Sequence, residues 1–227
     1  MKVLGVSTTT HESHSTSRMA LGRALMNCAA SGHEIKYIDA NKLHIVKNLS
    51  CYGDGGKHCA DPKSGPYRCW AHENSVKDPD KFGGVDEMPQ IYDGIQWADA
   101  VIWSTSVRWM SHTALFQSII ERLNTLENRQ TVFNEPNPLK GKTTGVIVTG
   151  QHYQAQQVGA RCLETLKFFG FSVSPESVFS WQKTNDMNLE QADNSNNNAA
   201  FMQYLNSAAG IQQMRNFLKV CIGDHFG

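Results

Sequence analysis

Residues 101–110 read VIWSTSVRWM. With Ala100 in front, the opening residues are apolar without alternation, the composition of a strand buried on both faces of a parallel sheet. A strand is therefore expected over 100–103, and a loop from Ser104 to His112. That loop is unusual. Three small hydroxyl-bearing residues let a ligand come close to the backbone, and Trp109 then offers a flat apolar wall.

Working outward, the same pattern recurs. Upstream, KVLGVS (2–7) reads as a short buried strand, then comes a polar loop, then an apolar stripe at Met19, Leu21, Ala24, Leu25 and Cys28 with helical spacing. HEIKYID (33–39) reads as a second strand, and 86–99 as a helix carrying Ile91, Ile95 and Trp97. Downstream, Leu115, Ile119, Ile120, Leu123 and Leu126 share one helical face, with Ser111 or Thr113 available as N-cap. TTGVIVT (143–149) is a fourth strand, and Val158, Cys162, Leu166 and Phe169 stripe a helix that Gly170 ends. FSVS (171–174) fits a half-exposed edge strand. A polar, asparagine-rich connector precedes a last helix over about 199–218.

Strands alternating with helices make a doubly wound α/β domain with a five-stranded parallel sheet and helices on both faces. The 227 residues suit one domain, with residues 40–85 as a long Cys-containing insertion and 183–227 as connector and C-terminal helix. Lys and Arg total 21, equal to Asp and Glu, which argues against a nucleic-acid binder or a strongly acidic electron carrier. The N-terminal apolar run is too short for a signal core or membrane span, so a cytoplasmic protein is expected.

Ligands of such sheets bind at the carboxyl ends of the strands, where strand order reverses. From Ser7 to Ser17, eight of eleven residues are Ser or Thr, and the loop runs into a helix N-terminus. Hydroxyls and free N–H groups at the positive pole of a helix suit a phosphate. Neither GxxxxGK[ST] nor GxGxxG is present, which argues against a nucleoside triphosphatase and a dinucleotide fingerprint. A phosphate bound and kept, beside an aromatic slot, describes flavin mononucleotide. The residues expected to hold it are Ser7, Thr9, Ser15, Thr16 and Ser17 at the phosphate, and Thr105, Ser106, Val107, Arg108, Trp109 and Met110 along the ring, with the Val107–Met110 backbone amides offered to heteroatoms on its edge. Thr149, Gly150, Gln151 and His152 are expected at its pyrimidine edge. His11 and His14 are further loop residues beside the phosphate.

WADAVIWSTSVRWMSHTALFQSIIERL (97–123) resembles the corresponding segment of the flavodoxin-like NAD(P)H-dependent FMN reductases. There an apolar strand leads through a small-residue turn and an aromatic loop to a helix ending in an acidic residue, Arg and Leu, here Glu121, Arg122 and Leu123. VLGVSTTTHESHSTSRMALGRAL is similar to the family's phosphate-binding start, and GKTTGVIVTG to its fourth strand. Where the family usually has a proline and, two positions on, a tyrosine, this chain has Ser106 and Arg108. The resemblance implies a flavodoxin-like fold and an enzyme in which FMN takes a hydride from NAD(P)H at N5. Electrons then pass to a quinone, free flavin, metal ion or other small acceptor. It also implies a homo-oligomer, a dimer or tetramer, with Trp70, Trp109 and the middle loop as interface candidates. The flavin carries the chemistry, so no catalytic side chain is expected. Two other readings are an electron-transfer flavoprotein without its own NAD(P)H site and a flavin-free binding module.

The insertion carries Cys51, Cys59 and Cys69 at spacings of eight and ten, with His58 and His72 nearby. Related iron–sulfur flavoproteins place a four-cysteine motif here. Three thiols with long gaps leave three readings: an iron–sulfur cluster with a non-cysteine ligand, a zinc site completed by a histidine, or a metal-free loop with a reversible cysteine pair near the flavin. Cys28, Cys162 and Cys221 lie among apolar residues and read as core.

Overall fold

The computed structural model describes residues 1–11, 15–51, 59, 67–150, 154–184 and 197–223. Five parallel strands, β1 (Lys2–Ser7), β2 (Glu34–Asp39), β3 (Ala100–Ser106), β4 (Thr143–Gly150) and β5 (Val178–Gln182), lie in the order β2-β1-β3-β4-β5. This is the flavodoxin-like arrangement, in which strand order reverses between β1 and β3. β1 and β3 are buried along nearly their whole length, whereas the edge strand β2 leaves Ile35 and Tyr37 exposed.

Alternation along the strands feeds two cores. Leu4, Val6, Val101 and Trp103 face α4 (Met88–Trp97), α5 (Ala114–Arg122) and α7 (Ala155–Phe169). Val3, Ile102 and Ile147 face α1 (Thr16–Ala30), α8 (Asn197–Asn206) and α9 (Ala208–Ile222). Trp103 is wholly buried, edge-on to Phe116, and donates its indole N–H to Thr144 Oγ1 at 3.1 Å. Gly145 is where α9 sits closest to the sheet: a Cβ there would lie 2.3 Å from Cys221 Sγ and 2.8 Å from the Phe217 ring. No described helix is long and apolar enough to cross a membrane.

The structure corrects four expectations. β3 does not end at Trp103. It runs on through Ser104, Thr105 and Ser106, which pair in register with Ser7 and with Val148 and Thr149 of its neighbours. Hydroxyl side chains do not disturb a ladder made by the backbone, so the loop begins only at Val107. Second, the fifth strand is not 171–174. Ser172 makes a single bridge to Thr143, a turn closes from Ser177 N–H to Ser174 C=O, and the strand starts at Val178.

Third, two expected long helices are broken. The Arg122 carbonyl accepts from the Tyr92 hydroxyl at 2.7 Å and the Leu126 amide donates to Leu123, so α6 (Asn124–Phe133) starts afresh. Ser207 splits the C-terminal helix by capping the Gly210 amide while donating to Tyr204 C=O. Fourth, the insertion is not wholly irregular. It holds a short 3-10 turn at Ala40–Lys42, α2 (Trp70–Lys77) and α3 (Pro79–Phe82).

Candidate functional site: a hydroxyl cradle at the strand-order reversal

Alternation sorts the hydroxyls at the carboxyl ends of the strands into two groups. Ser7, Ser106 and Thr149 face α1, and the N-terminus of that helix meets them. Ser15 caps it, accepting from the Arg18 amide at 3.4 Å. From the cap a chain of hydroxyls crosses the sheet: Thr9 to Ser15 at 3.0 Å, Ser15 to Ser17 at 3.0 Å, Ser17 to Ser106 at 3.2 Å. Beside it Thr16 and Thr149 meet at 2.7 Å. Ser7, Thr9, Ser15, Ser17, Ser106 and Thr149 are all buried and Thr16 half-buried, so these hydroxyls turn inward, while Thr10 is exposed.

Thr105 points to the other face and belongs to the second group. Thr113 caps α5 through the Phe116 amide, donates to Thr8 C=O at 2.9 Å and lies 3.2 Å from Thr105 Oγ1. Thr8 N–H and its hydroxyl both donate to Ser104 C=O. This knot clamps the phosphate-side loop to the start of α5. Thr8 and its place in the knot escaped the sequence reading, although the alternation of the STS run already puts Thr105 opposite Ser104 and Ser106. Ser104 Oγ, buried under the cradle, makes no hydrogen bond.

The electrostatics are those of a helix end rather than of a cation cluster. The first turn of α1 carries no acidic residue. Arg18, the nearest base, is held 3.1 Å from Asp39 at the end of β2. Burial and the neighbouring Asp39 push the Tyr37 phenol beside this pair above its usual range. His11 is exposed, its amide donating to Thr9 Oγ1. Gly150 ends β4 half-buried.

The turn after β3 differs from its expected form. The Val107 amide donates to Thr149 C=O and the Arg108 amide to Ser111 C=O, so neither is available to a ring edge as anticipated. Arg108 Nη1 folds back on Val107 C=O. Trp109 and Met110 both have positive φ, 47° and 65°, at the tip of a two-residue hairpin closed by Arg108 and Ser111. This is the signature of a type I′ turn, normally given to Asn and Gly. It presents the Trp109 ring 99% exposed. Gln151, His152 and His14 lie outside the described residues.

In the insertion, Cys51 Sγ lies 3.9 Å from Cys59 Sγ, while Cys69 Sγ accepts from Arg122 Nη2 at 3.2 Å. Arg122 is buried and fixed by Asp86 at 2.7 and 3.0 Å and by Val46 C=O. A guanidinium against Cys69 opposes a metal cation on that sulfur. Among the described residues no group of three or more His, Cys, Asp or Glu side chains is arranged to hold a metal. His72 bonds the Asp86 backbone, and His58 lies outside the described residues. Trp70 is half-buried at the start of α2.

The profile of the NADPH-dependent FMN reductase family matches residues 1–186. The chain belongs to that family. It is an FMN-dependent NAD(P)H oxidoreductase, and the cradle fits the family's cofactor: buried hydroxyls at a helix N-terminus, with no lysine or acidic metal ligand among the described residues of the cradle, suit a phosphomonoester that is held rather than cleaved. A comparison with curated proteins finds no match. Solved structures similar to this reductase in fold include RosB with the bound intermediate 8-demethyl-8-formylriboflavin-5'-phosphate, at TM-score 0.60 and 19% identity over 95% of this chain and 79% of that one. Others are the azoreductase AzrA, at 0.57 and 11% over 96% and 100%, and the NAD(P)H:quinone oxidoreductase of Methanothermobacter marburgensis, at 0.51 and 13% over 95% of both. At these identities the likeness is one of fold. The unpaired Ser104 hydroxyl and the exposed Trp109 are two features of this reductase that its own packing does not use.

Proposed function

We propose that this reductase passes electrons from NAD(P)H to a small acceptor of the quinone or flavin class, with FMN seated on the hydroxyl cradle. The observation that carries the placement is the convergence of Thr9, Ser15, Thr16, Ser17, Ser106 and Thr149 on the N-terminus of α1. Bound FMN supplies the hydride and electron chemistry. The protein's part is binding and orientation. Hydroxyls that now donate to one another rotate to donate to phosphate oxygens, and the α1 dipole offsets the dianion. The Thr8–Thr105–Thr113 knot holds the loop still while this happens. Ser106, Gly150 and the backbone of Trp109 and Met110 would border the ring, and the Trp109 side chain would wall the acceptor side.

A solvent-exposed tryptophan in a strained turn at the mouth of a site also supports a homodimer in which a second copy covers Trp109 and Met110. None of the six cysteines is disulfide-bonded, which suits the reducing cytoplasm. The test is spectroscopic. Protein as purified, or after adding FMN, should absorb near ~450 nm, and NADH or NADPH should bleach that band anaerobically until a quinone or flavin restores it. Bound FMN that NAD(P)H does not bleach would favour a pure electron carrier. No uptake of FMN would remove the cradle as its site.

A further inference from the structure

Away from the cradle, three cysteines of the insertion gather where α5 hands over to α6. Cys51, Cys59 and Cys69 line one cavity with Arg122 and Thr125, of about 10 Å³, room for a single water-sized molecule. α5 has nine residues, so this cavity lies roughly 13 Å down the helix from the Thr113 cap beside the flavin site. The three thiols are not equivalent. Cys69 is pinned on the buried Arg122 guanidinium, which Asp86 fixes in turn. Cys59 is buried and Cys51 half-buried, with their sulfurs 3.9 Å apart.

We propose that Cys51 and Cys59 form a dithiol–disulfide site, separate from the flavin, that is oxidised by hydrogen peroxide. The hydrogen bond between the two sulfurs and then burial push the Cys59 thiol far up, so of the pair it is the more accessible Cys51 that gives up its proton first. The Cys51 thiolate attacks one peroxide oxygen. An S–O bond forms, the O–O bond breaks, and the departing hydroxide takes a proton and leaves as water. Cys59 then attacks the Cys51 sulfur of the sulfenic acid. The S–S bond forms, the S–O bond breaks, and hydroxide leaves with the Cys59 proton as a second water. Two thiols have lost two electrons and one peroxide has gained them. The sulfurs must approach by about 1.9 Å to reach bonding distance, and the link closes a loop with only seven residues between the two cysteines. Cys28, Cys162 and Cys221 do not compete, because burial holds all three thiols protonated.

The test uses full-length FMN-loaded protein treated with a small excess of hydrogen peroxide, alkylated and mapped by mass spectrometry. Titratable thiols under denaturing conditions should fall from six to four, with the mass about 2 Da lower. One linked peptide pair, Cys51 to Cys59, should appear and be lost on reduction. Cys59→Ser should stop at a Cys51 sulfenic acid trapped by a dimedone probe, and Cys69→Ser should still form the link. Six surviving thiols, a link involving Cys69, or oxidation that spares Cys51 in the wild type and in Cys59→Ser would each overturn the proposal.

Discussion

Thr16 shows how much one side chain decides at the cradle. It stands at the first position of α1 with its hydroxyl on Thr149. A carboxylate there suits the helix dipole, so Thr16→Glu should fold as well as wild type. The same charge repels a phosphate, and FMN binding should weaken at least tenfold, about 1.4 kcal/mol, read as flavin retained after gel filtration. Full retention would move the phosphate elsewhere. Trp109 is the opposite case. At 99% exposure it contributes almost nothing to the fold, so Trp109→Ala should leave the urea midpoint unchanged to within about 0.5 kcal/mol and FMN content intact. The KM for a quinone acceptor should rise and any dimer loosen in sedimentation. The buried thiols add a pH dependence. Burial lifts Cys28 and Cys162 from 9.0 to about 12. The unfolded chain therefore releases these protons first, and their contribution is whole below pH 9 and fades as pH climbs towards 12. Urea midpoints should fall across that window, and Cys162→Ala should flatten the fall. An unchanged slope would remove Cys162 as a cause.

Helices and strands here are positioned by contacts that leave no room for adjustment. α9 lies on β4 at Gly145, where a methyl group would collide with Cys221 and Phe217. Gly145→Ala should cost about 1–3 kcal/mol by overpacking, measured by urea denaturation, with flavin binding kept because the cradle lies at the far end of the strand. The break at Ser207 is a cap chosen over helix continuity, since its hydroxyl serves both Tyr204 C=O and the Gly210 amide. α5 and α6 separate for a similar reason. Tyr92 takes the Arg122 carbonyl, and Thr125 turns its hydroxyl to Tyr67 C=O in the insertion. These breaks could not be read from hydrophobic spacing, because the apolar stripe continues through them.

Across the whole molecule, a buried ion pair helps to fasten the insertion between β2 and α4. Arg122 reaches from the end of α5 to Asp86, Val46 C=O and Cys69, while Asp86 also accepts from the Val46 amide. Removing one partner leaves a buried unpaired charge, so Asp86→Asn should destabilise by about 3–5 kcal/mol, seen as a lower urea midpoint. Proteolysis should then cut the insertion before the sheet. Replacing both partners with apolar residues should recover part of the loss.

Legible in the chain order were the α/β alternation, the parallel core, the three strand ends proposed to carry the site and the Ser/Thr segment at the first helix. Each of these is written in local order: apolar runs, helical stripes, a capping hydroxyl and a helix pole adjacent in the chain. Only folding fixed that β3 continues through its hydroxyls, that the last strand is Val178–Gln182, and that Arg122 of the Glu-Arg-Leu ending is buried against Asp86, Val46 C=O and Cys69 of the insertion. It also decided that Trp109 stands in solvent and that Cys51 meets Cys59 while Cys69 meets a guanidinium. The reason is the same in each case. These outcomes depend on which distant groups satisfy a buried polar atom, and spacing along the chain does not record the partners that folding brings across the sheet.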